Sequence, residues 1–161
     1  MSRPGHRPVS VSLTVLALAA LLFGGATAAA PAADASASAG SRATDVIART
    51  NAIRAEAGCD PVRADQQLGA VAQKHATEMA RHRYLEHENR SGTTSGERIR
   101  SAGYDEATGE NLAHGYPTAA EVMDVWMASA GHRRNIEDCE FTHVGIGYAP
   151  DGHYWVQDFG G

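Results

Sequence analysis

Residues 144–159, VGIGYAPDGHYWVQDF, decide the fold class of this chain. Two runs within them, 144–148 and 154–159, alternate apolar or aromatic residues with small or polar ones. Alternation with a period of two is typical of β-strands. The sequence PDG at 150–152, between the two runs, is a turn signal. The segment is therefore predicted to form an antiparallel hairpin.

The sequence before the hairpin has the period of helices instead. The clearest helix begins after Asp65, whose carboxylate can cap a first turn. Its apolar face is formed by Leu68, Val71, Ala72, His75, Ala76 and Met79. Residues 44–57 predict an earlier helix, residues 95–101 a short one, and residues 118–131 one opened by a capping box. Helices followed by a hairpin predict an α+β domain in which helices pack around a small antiparallel sheet.

The composition and charge exclude several classes of protein. The chain has 161 residues, of which 43% are apolar and 20% charged, which fits one domain of ordinary size. Beyond residue 28 there are 12 Lys and Arg against 19 Asp and Glu, a net charge of −7. That balance argues against nucleic acid or an anionic membrane surface as a partner.

The start of the chain is predicted to be a signal peptide over residues 1–28. Basic residues precede the apolar run Val9–Phe23, and small residues suited to signal peptidase end at Ala28. An uncleaved anchor is the alternative, but the run is shorter than the roughly 20 residues that a spanning helix needs. We therefore expect a secreted protein without a stable membrane span after cleavage. Residues 29–41, mostly Ala and Ser, are predicted to be a flexible linker before a domain at 42–161.

The two cysteines, Cys59 and Cys139, are predicted to form one disulfide, because secretion exposes them to an oxidising environment. Such a bond would close a loop of about 80 residues. A catalytic cysteine is the alternative, but nothing in the sequence identifies a histidine base for it.

The familiar signatures of hydrolases and phosphate-binding loops are absent from the sequence. His87, His114 and His132 lie in loop-like contexts beside glycine or acidic residues, whereas His75 falls on the apolar face of a predicted helix. Spacing alone does not separate a histidine site from solvated surface imidazoles.

Five segments taken in order resemble the CAP superfamily of cysteine-rich secretory proteins, antigen five and pathogenesis-related proteins, also called the SCP domain. They are NAIR at 51–54, AVAQKHA at 70–76, GENLA at 109–113, WMASAGHRRNI at 126–136 and VGIGY at 144–148. The resemblance covers about residues 45–159. It implies an α-β-α sandwich with a central cavity lined by two histidines and two acidic residues.

The resemblance assigns three cavity residues: His87, Glu110 in the GEN motif, and His132. It departs at the fourth, because Ser129 stands where members with the full set have Glu. Glu97 is a possible substitute, and its alternative role is that of an exposed acid at a helix start. Two imidazoles and one carboxylate can hold Zn²⁺ or another divalent metal with an open water position.

Three functions follow from this set of residues. We expect a secreted binding or interaction module whose partner is an extracellular ligand, lipid or wall component. A metal-dependent, protease-like hydrolase using the same cavity is the first alternative, but Ser129 removes a general base and no nucleophile is evident. An extracellular scaffold with a structural His/Glu network is the second. Binding rather than catalysis is therefore expected.

Overall fold

The fold is seen in a computed structural model, which describes residues 32–161. The predicted signal peptide over 1–28 and its cleavage site lie outside the described residues. Between residues 32 and 161, no helix combines the length and the hydropathy needed to cross a membrane.

Five helices and four strands make up the described residues. In chain order they are α1 (Ala32–Ala57), β1 (Arg63–Ala64), α2 (Gln66–His82), α3 (Ser95–Ser101), β2 (Thr108–Ala113), α4 (Ala119–Ala128), α5 (Ala130–Ile136), β3 (His143–Ala149) and β4 (Tyr154–Gly160). The predicted α+β class is confirmed, and so are the hairpin and the central helix α2.

The sheet has the strand order β1-β3-β4-β2. β3 and β4 form the predicted antiparallel hairpin, and β2 adds to β4 in antiparallel register. β1, however, pairs with β3 in parallel, so the sheet is mixed rather than purely antiparallel. The prediction missed this pairing because two exposed residues are too few to show a strand period.

Helix α1 begins at Ala32 rather than at the predicted residue 44. Most of the segment 29–41, which we predicted to be a flexible linker, is therefore helical. The physical reason lies in its composition, since alanine has the highest intrinsic helix propensity.

The helices cover both faces of the sheet and give three layers. α2 packs on one face with Leu112 and Val156, while α1, α4 and α5 pack on the other around Trp126, Trp155 and Phe159. The predicted α-β-α sandwich is confirmed.

Two glycines of β3 set the distance between α2 and the sheet. A Cβ at Gly145 would lie 2.2 Å from the backbone carbon of Leu68, and one at Gly147 would lie 2.2 Å from the backbone oxygen of Ala72. Because glycine has no side chain, the backbone of α2 can lie directly on the hairpin at these two positions. Any larger residue there would collide with the helix. This contact fixes the helix that carries His75 and leads into the loop of His87.

The disulfide between Cys59 and Cys139 is present, as predicted. Beside it the buried Arg54 of α1 donates hydrogen bonds to four backbone carbonyls, of Asp60, Ile136, Asp138 and Phe141, at 2.7–3.1 Å. The bond and the guanidinium together hold the end of α1 to the segment that connects α5 and β3.

Candidate functional site

Two acidic side chains face each other at the centre of the site. Glu110 on β2 pairs in register with Asp158 on β4, so the two side chains lie on the same face of the sheet. The Glu110 side chain is 1% exposed, and Asp158 is fully buried. Two carboxyl groups buried side by side require a cation or a bound proton, because like charges repel strongly away from water.

Arg98 of α3 supplies the cation. Its Nη2 lies 2.5 Å from Oε2 of Glu110, and its Nη1 donates to the backbone oxygens of His87 and Thr93 at 2.9 and 3.0 Å. The Arg98 side chain is only 9% exposed. Arg98 therefore ties the buried carboxylate to the loop that carries His87.

His87 lies in that loop, after α2, and its Nδ1 is 2.7 Å from Oε1 of Glu110. The hydrogen bond to Glu110 is the main reason that the pKa of His87 is raised above its ordinary value, and it outweighs burial, which acts in the opposite direction. The side chain is nevertheless 59% exposed. A buried carboxylate thus orients an imidazole that faces solvent, and Nε2 takes no part in the bond to Glu110.

His132 approaches the same place from α5. Burial lowers the pKa of His132, and the charge of nearby His87 lowers it further. Its Nδ1 is buried and has no hydrogen-bond partner within residues 32–161. The structure therefore brings together the three residues assigned from sequence: His87 and Glu110 in direct contact, and His132 within electrostatic reach of His87.

A buried amide network holds α5 against β2. Asn135 donates to the backbone oxygen of Glu110 at 3.1 Å and to Oδ1 of Asn111 at 2.8 Å. Asn111 in turn donates to the backbone oxygen of His132 at 3.1 Å and to Gln157 at 3.0 Å. These bonds fix His132 relative to the strand that carries Glu110.

The two possible fourth members of the cavity, Glu97 and Ser129, form no hydrogen bond to His87, Glu110 or His132 within the described residues, and their membership stays a prediction. The Glu97 carboxylate is exposed and closes a capping box with Thr94 at the start of α3, which is its alternative predicted role. Ser129 is the residue between α4 and α5, and its side chain forms no capping hydrogen bond. Glu97 nevertheless affects the site indirectly, because it stabilises the first turn of α3, the helix that carries Arg98.

Sequence reasoning missed Arg98 and Asp158. Burial, and then the neighbouring Glu110, raise the pKa of Asp158 well above its usual range, so its acid form is favoured. No described N–H or O–H group donates to either oxygen of Asp158, so in its acid form Asp158 can donate its own proton in a hydrogen bond to Glu110, which faces it. A signal was present, since Asp158 shares the alternating face of β4 with the buried Tyr154 and Val156.

Glu110 is engaged by two other side chains in this arrangement, which leaves it no free oxygen for a metal shared with His87 and His132. Both carboxylate oxygens of Glu110 are already bound, one by His87 and the other by the guanidinium of Arg98. In residues 32–161, no group of three or more His, Cys, Asp or Glu side chains is placed to hold an ion. Glu110 instead resembles the carboxylate that orients a metal-binding imidazole from behind. The three-ligand site stays a prediction.

Comparisons with known proteins agree with the fold and with the order of the motifs. The family model described as "Cysteine-rich secretory protein family" matches residues 47–159. Two Bacillus subtilis proteins align over 115 residues, or 71% of this chain. They are the uncharacterized protein YkwD, at 36% identity over 45% of its length, and the uncharacterized membrane protein YlbC, at 29% identity over 33%. The chain thus spans less than half the length of these relatives.

Solved structures show the same architecture. An extracellular protein containing a SCP domain from Bacillus anthracis superposes with a TM-score of 0.70 at 26% identity, covering 76% of this chain and 41% of that one. An outer surface protein from Borrelia burgdorferi gives 0.65 at 22% identity, covering 71% and 88%. These neighbours are extracellular or outer-surface proteins.

Proposed function

Because the chain belongs to the cysteine-rich secretory protein (CAP) family, we propose that it is a secreted binding module that presents His87 to an extracellular ligand. Secretion is supported by the disulfide and by the extracellular neighbours. It is also supported by the signal-peptide pattern of residues 1–28.

The observation that carries the binding proposal is the fixed orientation of an exposed imidazole. His87 is bound through Nδ1 to a carboxylate that is itself bound to Arg98, so little freedom is lost when a ligand meets the ring. Its raised pKa favours the protonated ring, in which both nitrogens donate hydrogen bonds. A ligand group that accepts hydrogen bonds therefore suits the site.

Among the ligand classes considered from sequence, a wall component is the first candidate. The net charge of −7 beyond residue 28 opposes binding to an anionic lipid surface. The test is co-sedimentation of the mature protein with purified bacterial peptidoglycan and, separately, with phospholipid vesicles.

We expect the wild type to sediment with peptidoglycan, and His87→Gln to lose about tenfold or more in affinity. His114→Gln is the matched control, since His114 is also exposed and is stacked on Tyr154 away from Glu110. Wild-type protein that binds neither material, or His87→Gln protein that binds like wild type, contradicts the proposal. Sedimentation with vesicles alone would reassign the ligand to lipid.

A metal-dependent hydrolase is the second candidate. It is favoured by one feature, the bond from Nδ1 of His87 to Glu110, which leaves Nε2 able to bind an ion. Calorimetric titration of chelator-treated protein with Zn²⁺ tests it, with the His87→Ala/His132→Ala double variant as control. One site of micromolar or tighter affinity that the double variant lacks would justify screening for turnover. Absence of binding removes this candidate and leaves a metal-free ligand site or a scaffold.

A further inference from the structure

The chain around His87 has no backbone hydrogen bonds of its own. Residues 85–88, which we call the His87 segment, lie outside the helices and strands, and all four are exposed. Within residues 32–161, none of their backbone groups bonds to another backbone group. Exposed segments with few hydrogen bonds move readily unless contacts from elsewhere hold them. The bond from Nδ1 of His87 to Glu110 holds the ring and leaves the backbone to other contacts.

Two buried side chains hold successive carbonyl groups of the His87 segment. Nε2 of His75 lies 2.9 Å from the backbone oxygen of Glu86, and Nη1 of Arg98 donates to the backbone oxygen of His87 at 2.9 Å. These carbonyls belong to the two peptide groups on either side of the His87 Cα. Since each peptide group is planar, fixing both of them fixes the backbone from which the imidazole extends.

His75 is itself held rigidly. The residue is 1% exposed on α2, the helix that lies directly on β3 at Gly145 and Gly147. A carbonyl only accepts hydrogen bonds, so Nε2 of His75 carries a proton. Its Nδ1 is buried, and no described residue donates to it. Within residues 32–161 the bond to Glu86 is thus the one hydrogen bond of this ring, which explains why a polar residue stands on the apolar face of α2.

We infer that His75 is a positioning residue for His87, which holds the His87 segment in its binding conformation through the carbonyl of Glu86. The inference rests on the proposed function for the ligand of the site, whereas the conformation of the segment is measured without a ligand. A ligand that meets a fixed segment loses less conformational freedom on binding. Without the bond from His75, we expect the binding conformation to fall to about 10–30% of the population, which weakens the apparent affinity about three- to tenfold.

Nuclear magnetic resonance of the mature, disulfide-bonded protein labelled with ¹⁵N tests the bond directly in the wild type. The bond requires a proton on Nε2 of His75, and the burial of the ring should protect that proton from exchange with solvent. We expect a slowly exchanging Nε2–H signal. A ring that carries its proton on Nδ1 alone overturns the inference, whatever the variants do.

Two substitutions of His75 then separate its hydrogen bond from its packing. His75→Met removes the donor but keeps a side chain of similar size, and water can reach the exposed Glu86 in its place, so the fold should survive. His75→Gln keeps an N–H donor. The backbone order parameters of Glu86 and His87 should be about 0.85 in the wild type and in His75→Gln, and below about 0.6 in His75→Met. Those of β3 and β4 should stay unchanged in all three proteins.

His82→Met is the matched control on the same helix. His82 is exposed, and its ring contacts the side chain of Arg90 rather than the backbone of the His87 segment. This variant should keep the order parameters of the wild type. In co-sedimentation with peptidoglycan, His75→Met should bind about threefold or more weakly, whereas His75→Gln and His82→Met should bind like wild type. Wild-type protein that does not bind peptidoglycan contradicts the proposed function, and the order parameters then decide the inference.

Three results with the variants overturn the inference. The first is a His87 segment in His75→Met that is as ordered as in the wild type. The second is equal loss of order in His75→Gln and His75→Met, because the shape of the ring rather than its N–H group would then hold the segment. The third is loss of order in β3 and β4 of His75→Met as well, which would make His75 a residue of the core and not a positioning residue.

Discussion

Replacing Arg98 with Met tests whether one buried guanidinium organises the candidate site. Arg98 is 9% exposed and Glu110 1% exposed, so solvent screens their ion pair little. Removing one partner of a buried pair typically costs about 3–5 kcal/mol, because the other charge stays buried. Arg98 also donates to two carbonyls, and a hydrogen bond from a charged donor adds about 1.5–3 kcal/mol without strict additivity. We expect Arg98→Met to lower the free energy of unfolding by about 4 kcal/mol or more.

Urea denaturation of the disulfide-bonded protein at neutral pH measures this loss. Arg100→Met is the control on the same helix, since Arg100 is exposed and should change stability by no more than about 0.5 kcal/mol. Combining Arg98→Met with Glu110→Gln removes both charges and should cost less than the sum of the single variants. A coupling of about 1.5 kcal/mol or more is expected for groups in direct contact. A loss for Arg98→Met within about 1 kcal/mol of the control refutes the reasoning.

Three further predictions follow from the fold and the site. Arg54→Met should lower the free energy of unfolding in urea by about 3 kcal/mol or more, because four carbonyls lose a buried charged donor. The control Arg49→Met loses only an exposed helical ion pair and should lower it by about 0.5 kcal/mol at most. Equal losses in the two variants would contradict the role of Arg54. Replacing both disulfide cysteines with Ala should lower the free energy of unfolding by about 4–5 kcal/mol, and unchanged stability under the same assay would rule out that contribution. The pKa of His87 should exceed 6.5 in an NMR titration and fall in Glu110→Gln. Because the folded-state pKa of His87 is raised, its contact with Glu110 stabilises the fold fully below pH about 6.5, and this stabilisation is lost as the pH rises through the folded-state pKa. The difference in melting temperature between wild type and His87→Gln should therefore shrink as the pH rises. A difference that stays constant would contradict the stabilising role of this contact.

The sequence by itself determined the elements whose signals are local. The hairpin of β3 and β4 follows from period-two alternation around a turn, and α2 from a capped helical period. The capping box at the start of α4 and the disulfide were also predictable, the first from residues three apart and the second from two cysteines that follow a predicted signal peptide. His87, Glu110 and His132 came from motif resemblance, which carries spatial information that spacing alone does not.

Only the tertiary structure decided how distant residues meet. The parallel pairing of β1 with β3 involves too few residues to leave a pattern in the sequence. Asp158 opposes Glu110 because of the register between β4 and β2, and a shift of one residue would turn the side chain to the other face of the sheet. Arg98 reaches that carboxylate because α3 packs beside β2, so its role depends on packing rather than on its neighbours in sequence. Local periodicity follows from backbone geometry, whereas the site is built from contacts across elements whose relative positions are fixed only when the core is packed.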